Sequence, residues 1–436
     1  MRSLLIFQFL SKVIKSLNFI KLRTDINRSK ETINRGIITL IDQAITSANS
    51  FIAGIIIGRA CGKDEFGLYV LGLTIVTFVI SFQSSLITTP YMIQIARLKG
   101  TEKDSFTGST FIHELMISLT VTLLIMIASF FILYRNSQMF KVLLSLAAGI
   151  PFIVMREYIR QISLARLHAV SVLILDSLIL CIQIVVLLML AGNDMLSASR
   201  AFLVIGFSCG VSGISLLIWR RHWFIFKWRE VHSHLSQNFH VGRWILGGIL
   251  IYTLAKETYP WMLTSFHSTA ATATFGACMG VIFLSNPFIL GMTNFMSPVI
   301  VHSYSDNDKH KLSNIILKCT IFMVFVMGSF CIALFIFGGK LVVFIYGVKY
   351  AGNELLISIL GLSTLATVFT LPVGIGLYAM NRADVTFKAC LSSLFVTISI
   401  GILLVKHMGV IGGAVSLLVG NIIESIFKYY KYAKTE

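Results

Sequence analysis

The chain has 436 residues, of which 56% are hydrophobic and only 13% charged, with a mean hydropathy of +0.84. Soluble domains carry about 25% charged residues, so the composition excludes an ordinary water-soluble enzyme and indicates a membrane protein. A formal net charge of +17 raises nucleic acid as a partner, but the charges are placed along the chain in a way that points to a membrane instead.

The start, "MRSLLIFQFLSKVIKSLNFIKLR", reads as a basic amphipathic segment lying at the cytoplasmic interface. Its apolar run is short, lysines recur within it and no small-residue cleavage site follows, unlike a signal peptide. Residues 1–34 are assigned to this segment. Twelve apolar stretches follow, at 37–60, 66–89, 111–134, 139–162, 168–190, 200–219, 243–266, 271–300, 313–337, 351–377, 384–405 and 409–428. Each approaches the ~20 residues that carry a helix across a bilayer. The fourth is interrupted by Arg156, Glu157 and Arg160.

The first six stretches make an N-lobe over 35–219 and the last six, with a short basic tail, a C-lobe over 243–436. Between them "RRHWFIFKWREVHSHLSQNFHVGR" predicts a basic interfacial linker over 220–242. Its His222, His232, His234 and His240 match no zinc-ligand spacing, and no metal or cofactor is expected. Seven cysteines are scattered, with no CxxC, and read as inert buried thiols.

With the N-terminus taken as cytoplasmic, about three quarters of the 36 Lys and Arg fall on that side, as the positive-inside rule requires. Both termini are therefore expected inside, in a multi-pass protein of the cytoplasmic (inner) membrane. The basic side faces anionic lipids, and nucleic acid is not expected as a partner. The halves also repeat. "FGLYVLGL" at 66–73 is echoed by "FGACMGVI" at 275–282, and Pro90 by Pro298, at near-equal offsets. An even number of spans separates the copies, which predicts an all-α fold of two six-helix lobes about a pseudo-twofold along the membrane normal, with a cleft between. All six prolines lie in or at the ends of spans, where the carbonyls they free need protein or a water-filled cavity.

No catalytic motif is present, so an enzyme is not expected. Ionisable groups inside spans are costly and are the functional candidates. Arg35, Asp42, Thr46 and Asn49 share one helical face of the first span, which either lines a cavity or bonds to a neighbouring helix. His113 and Glu114 open the third span at headgroup level, and Asp176 lies about two turns into the fifth. Glu424 is expected to pair with a nearby lysine, and Arg59 and Lys63 to anchor the first outer loop. In "LAKETYPW" Lys256 and Glu257 are neighbours on a helix and do not face each other. Asp42 or Asp176 is the expected partner of Lys256 across the cleft. Pro260 frees the carbonyl of Lys256, adding an acceptor to the same turn.

The run "NRGIITLIDQAITSANSFIAGIIIGRACGKDEFGLYVLGLTIVTF" at 34–78 resembles the start of the bacterial polysaccharide transporters, the oligosaccharide-lipid flippases of the multidrug/oligosaccharidyl-lipid/polysaccharide exporter superfamily. "FIYGVKYAG", "LYAMNRADVTF" and "HMGVIGGAVSLLVGN" resemble later segments of the same family, in order. The resemblance implies lobes that alternate between two openings and a substrate in which an oligosaccharide hangs from a polyprenyl diphosphate. On that reading Lys256, Arg35, Asn49 and Tyr259 contact the lipid-linked substrate, and Glu257, Asp42 and Asp176 couple transport to Na+ or H+. Polysaccharide polymerase or glycosyltransferases are the implied protein partners. The alternatives are an ion-coupled multidrug or organic-cation antiporter of the same superfamily, and a membrane-embedded glycosyltransferase or polymerase.

Overall fold

In hydrocarbon every backbone N–H and C=O must find a partner within the protein, so long apolar runs become helices or close into barrels. The computed structural model describes residues 26–134, 136–305 and 309–434, and side chains over 36–134, 136–304 and 310–434. It is all-helical, with no strand among the described residues. Residues 1–25 of the amphipathic segment lie outside them.

The helices are α1 (Ile26–Ala60), α2 (Lys63–Gln83), α3 (Thr89–Ile95), α4 (Gly100–Ile132), α5 (Ser137–Ala165), α6 (Ala169–Gly192), α7 (Ala198–Trp219), α8 (Trp228–Phe266), α9 (Thr269–Ile282), α10 (Asn286–Ser305), α11 (Lys309–Tyr346), α12 (Glu354–Ala379), α13 (Ala383–Val396) and α14 (Ile402–Ala433). Polar residues cap several starts. Asn136 accepts the N–H groups of Gln138 and Met139, Ser197 that of Arg200, and Ser268 that of Ala271. These caps satisfy amides the helix itself leaves free.

Among the described residues ten helices are long and apolar enough to cross a membrane, where twelve spans are expected from sequence. The differences fall in two places. The last of the ten runs 51 residues, from Ala383 to Ala433, and bends at Gly409, whose φ of 58° and ψ of −132° suit glycine alone. The expected eleventh and twelfth spans lie on either side of that bend. The expected seventh span is the second half of α8, less apolar than the ten because of its "KETYP" centre. The linker expected over 220–242 is helical from Trp228 and continuous with that span.

The second helix of each half is broken at a comparable point. α2 passes through a π-helical turn, Ser84–Thr88, into α3 and Pro90. α9 passes through a 3-10 turn, Phe283–Ser285, into α10 and Pro287. The proline at the second break is thus Pro287, whereas Pro298, matched to Pro90 by sequence offset, lies inside α10. The repeated Phe-Gly pairs meet where α2 crosses α9. A Cβ on Gly67 would lie 2.0 Å from the Thr269 carbonyl oxygen, and one on Gly276 would lie 2.5 Å from a methyl of Val70. Only glycine permits this approach.

One apolar core joins the halves. It takes Ala53, Ile57, Phe66 and Leu146 from the first and Tyr259, Val281, Tyr346 and Ile357 from the second. These residues lie towards the face that carries the 61–62 and 347–353 turns, called here the far face. Two further cores belong to one half each: Tyr91, Phe106, Tyr158 and Trp223 in the first, Met296, Ile316, Val373 and Tyr432 in the second. Both lie towards the opposite face, where the chain ends. The start of α8 bridges the halves on that side, with Gly242 against the carbonyl of Ser85.

Candidate functional site

The polar stripe of α1 packs on α6. Thr46 Oγ1 donates to Asp176 Oδ2 at 3.2 Å and Asn49 Nδ2 to Gln183 Oε1 at 3.3 Å. Asp42 and Asn49 are seven residues apart, as are Asp176 and Gln183, so two helical turns on each chain stay in step. α5 supplies the cations. Arg160 donates through Nε to Asp176 Oδ2 at 2.8 Å and through Nη2 to Asp42 Oδ2 at 2.7 Å. Arg156 donates to Asp176 Oδ1 and, at 3.1 Å, to Glu157 Oε2, which is steadied by Gln161 at 2.7 Å through Oε1. Asp42 and Asp176 are 1% and 2% exposed. Among the described residues Asp42 Oδ1 and Arg156 Nε have no hydrogen-bond partner.

This corrects the expectation that Asp42 or Asp176 pairs with Lys256: both are taken by arginines of their own half, which reach them without crossing the cleft. Arg156 and Arg160 are absent from the candidates drawn from sequence. Their signal was present as the interruption of the fourth span, where two arginines four residues apart share one helix face.

In the second half Lys256 is half-buried, with its ammonium 4.8 Å from the centre of the Tyr252 ring. It makes no ion pair among the described residues, and neither does the half-buried Glu257. Glu424 pairs with Lys428 at 2.7 Å, as expected. Tyr259 is 1% exposed. Its hydroxyl is shared with Thr397 at 3.1 Å and Ser416 at 2.9 Å, which fixes α8 to the π-helical turn Thr397–Gly401 and to α14. A substrate contact by Tyr259 is therefore unavailable in this conformation. The side chain of Arg35 lies outside the described residues.

His113 and Glu114 are not at headgroup level. They are 2% and 0% exposed, because α4 begins at Gly100, well before the apolar run, and its polar first turns carry both residues into the bundle. Arg59 is more than an anchor: it donates to the carbonyls of Ile345, at 2.7 Å, and Phe344. Lys349 returns the contact to the carbonyls of Arg59, at 3.1 Å, and Cys61. Asp64 accepts from Thr269 beside them. Arg59, Lys349 and Asp64 thus tie one half to the other on the far face. In the linker Ser105 donates to Glu230, and with Lys227 holds that carboxyl below its ordinary range. His234 Nδ1 lies 2.9 Å from Ser109 Oγ, and burial holds its ring below the usual imidazole range.

The fold is that of the MATE transporters of the MOP superfamily. Over 89% of this chain and 94% of the other, it is similar to an inward-facing multidrug resistance MATE family transporter, with a TM-score of 0.78 and 15% identity. A MOP superfamily transporter from Pyrococcus furiosus Vc1, described as having a binding pocket of reversed polarity, gives 0.67 at 14% identity over 93% and 95%. An outward-facing MATE family transporter gives 0.64 at 15% identity over 93% and 95%. Among curated proteins, 155 residues are 23% identical to the capsular polysaccharide biosynthesis protein CapF of Staphylococcus aureus. That match covers 35% of this chain and 39% of CapF, so the chain is aligned to about two fifths of that relative. No family model matches the sequence. The chain is a multi-pass membrane protein with a transporter fold.

Proposed function

We propose that the protein is an alternating-access flippase that moves a polyprenyl-diphosphate-linked oligosaccharide, such as a capsule, O-antigen or exopolysaccharide repeat unit, from the cytoplasmic to the outer leaflet. The observation that carries this reading is the pattern of pairing. Asp42 and Asp176, the acids an organic cation would seek, are already bonded to Arg156 and Arg160. Lys256 is an intramembrane ammonium with an aromatic neighbour and no carboxylate in ion-pair distance among the described residues. A diphosphate meets that ammonium as a charge-assisted acceptor, while the polyprenyl chain stays in lipid. The partial match to a capsular polysaccharide biosynthesis protein supports the same substrate class.

The second reading is an ion-coupled multidrug antiporter, favoured by the TM-score of 0.78 with a MATE transporter. In it Oδ1 of Asp42, without a hydrogen-bond partner among the described residues, is the coupling atom. Reconstitution in liposomes separates the two. A fluorescent polyprenyl-diphosphate sugar that becomes accessible on the opposite leaflet supports the flippase. Efflux of organic cations without such movement overturns it.

A further inference from the structure

Glu114 lies on α4, which packs against the Ser84–Thr88 turn, α5 and α8. It is 0% exposed, and neither carboxyl oxygen has a hydrogen-bond partner among the described residues. The side chain of Gln83 faces it. Gln83 is also 0% exposed, and its amide nitrogen and oxygen are likewise unbonded among the described residues. Two fully buried polar groups thus look at each other across a gap that neither closes.

Among the described residues no cation compensates Glu114. From α5, Glu157 faces it with a like charge, and Tyr158 presents a hydroxyl already shared with Thr110 at 2.7 Å. From α8, His234 and Glu230 are spent on Ser109 and Ser105, one and two turns nearer the start of α4. α2, its π-helical turn and α3 carry no charged side chain between Gln83 and Ile95. On α4 itself His113 uses Nε2 on the carbonyl of Val231 at 3.0 Å. Its Nδ1 is left as a lone pair without a partner among the described residues. An ionised carboxylate here has lost water and is faced only by the uncharged amide of Gln83, and such a group neutralises instead. A hard divalent cation takes six or more oxygen ligands, far more than Glu114 and Gln83 supply.

We propose that Glu114 is a proton-binding site set at the joint between α2 and α3. As the neutral acid its O–H donates to the Gln83 carboxamide oxygen. On deprotonation the proton passes to water, which must enter the joint to solvate the carboxylate left behind. Because the π-helical turn begins at the next residue, Ser84, that hydration loosens the bend of the second helix. The site is separate from the Asp42–Asp176 cluster and does not depend on which substrate is moved.

The test uses the full chain purified in lipid nanodiscs, with infrared difference spectra of wild type against Glu114→Gln. Expected is the carbonyl stretch of a protonated carboxyl group at neutral pH, present in wild type and lost in Glu114→Gln. A group protonated in the folded state above its unfolded pKa of about 4.3 contributes stability that is lost as pH rises through its folded value. The thermal midpoint of wild type therefore falls with rising pH, and that of the permanently neutral Glu114→Gln falls less. A wild-type spectrum without the protonated band at neutral pH overturns the proposal on its own. If Glu114→Gln does not fold, Gln83→Ala keeps the acid but removes its acceptor and must shift the band; an unmoved band also overturns the proposal. Failure of the flippase assay leaves these results untouched.

Discussion

Arg160 ties three helices of the first half together, because its guanidinium on α5 holds two buried carboxylates on α1 and α6. Removing one member of a buried ionic group leaves the others uncompensated, at a cost of about 3–5 kcal/mol. Arg160→Ala should therefore lower the thermal midpoint sharply in detergent, and Arg160→Lys should recover only part, since a lysine lacks the planar fork that reaches both acids. A midpoint unchanged in Arg160→Ala would mean that the cluster does not hold α1, α5 and α6 together. On the flippase reading proposed above, Lys256 serves transport rather than packing. Losing a hydrogen bond to a charged group costs about 1.5–3 kcal/mol, so Lys256→Ala should slow lipid-linked sugar movement by roughly 10- to 100-fold with little change in midpoint. Equal rates for the variant and wild type would remove Lys256 from the substrate path.

Helix by helix, the pattern of apolar runs predicted the elements well, because in lipid length and hydropathy leave little choice. The misplacements have physical causes. The start of α4 was set too late because "GTEKDSFTGST" is polar, yet its first turns pack under α8 and need no apolar face to lipid. The partners of Asp42 and Asp176 were not legible either: a contact between side chains 118 residues apart, as for Arg160 and Asp42, depends on which faces meet, and one sequence does not encode that directly. The repeat was legible, and the two Phe-Gly pairs do occupy one crossing. Filling that crossing gives a prediction. Gly67→Val places carbon where the Thr269 carbonyl stands, so the far face should gape, and spin-label distances across it should lengthen. The docking of α8 should also depend on pH. His234 is held neutral by burial, so its contribution is complete above the ordinary histidine pKa of about 6.5 and is lost as pH falls below it. Amide exchange over residues 228–240 should rise at pH ~5 in wild type and not in His234→Gln.

For the whole molecule, the shared core and the charged ties lie on the far face, and each half has its own core near the opposite face. The halves are thus packed together at the far face, and the TM-score to the inward-facing transporter is higher than that to the outward-facing one. Arg59 and Lys349 spend their charges on carbonyls across that closure. Arg59→Ala should shift the population towards the state open on the far face, seen as faster labelling of a cysteine placed at Ile57, which is fully buried here. Unchanged labelling would show that the apolar core alone keeps this face shut.

That core has a thermal consequence. To open the far face the protein must wet residues that are now in mutual contact, among them Ile57, Phe66, Val281 and Tyr346. Hydrating apolar surface raises heat capacity, so the balance between the two openings should curve with temperature rather than follow a straight van't Hoff line. On the alternating-access reading the protein would then carry a preferred working temperature set by a patch of carbon and not by its charged residues.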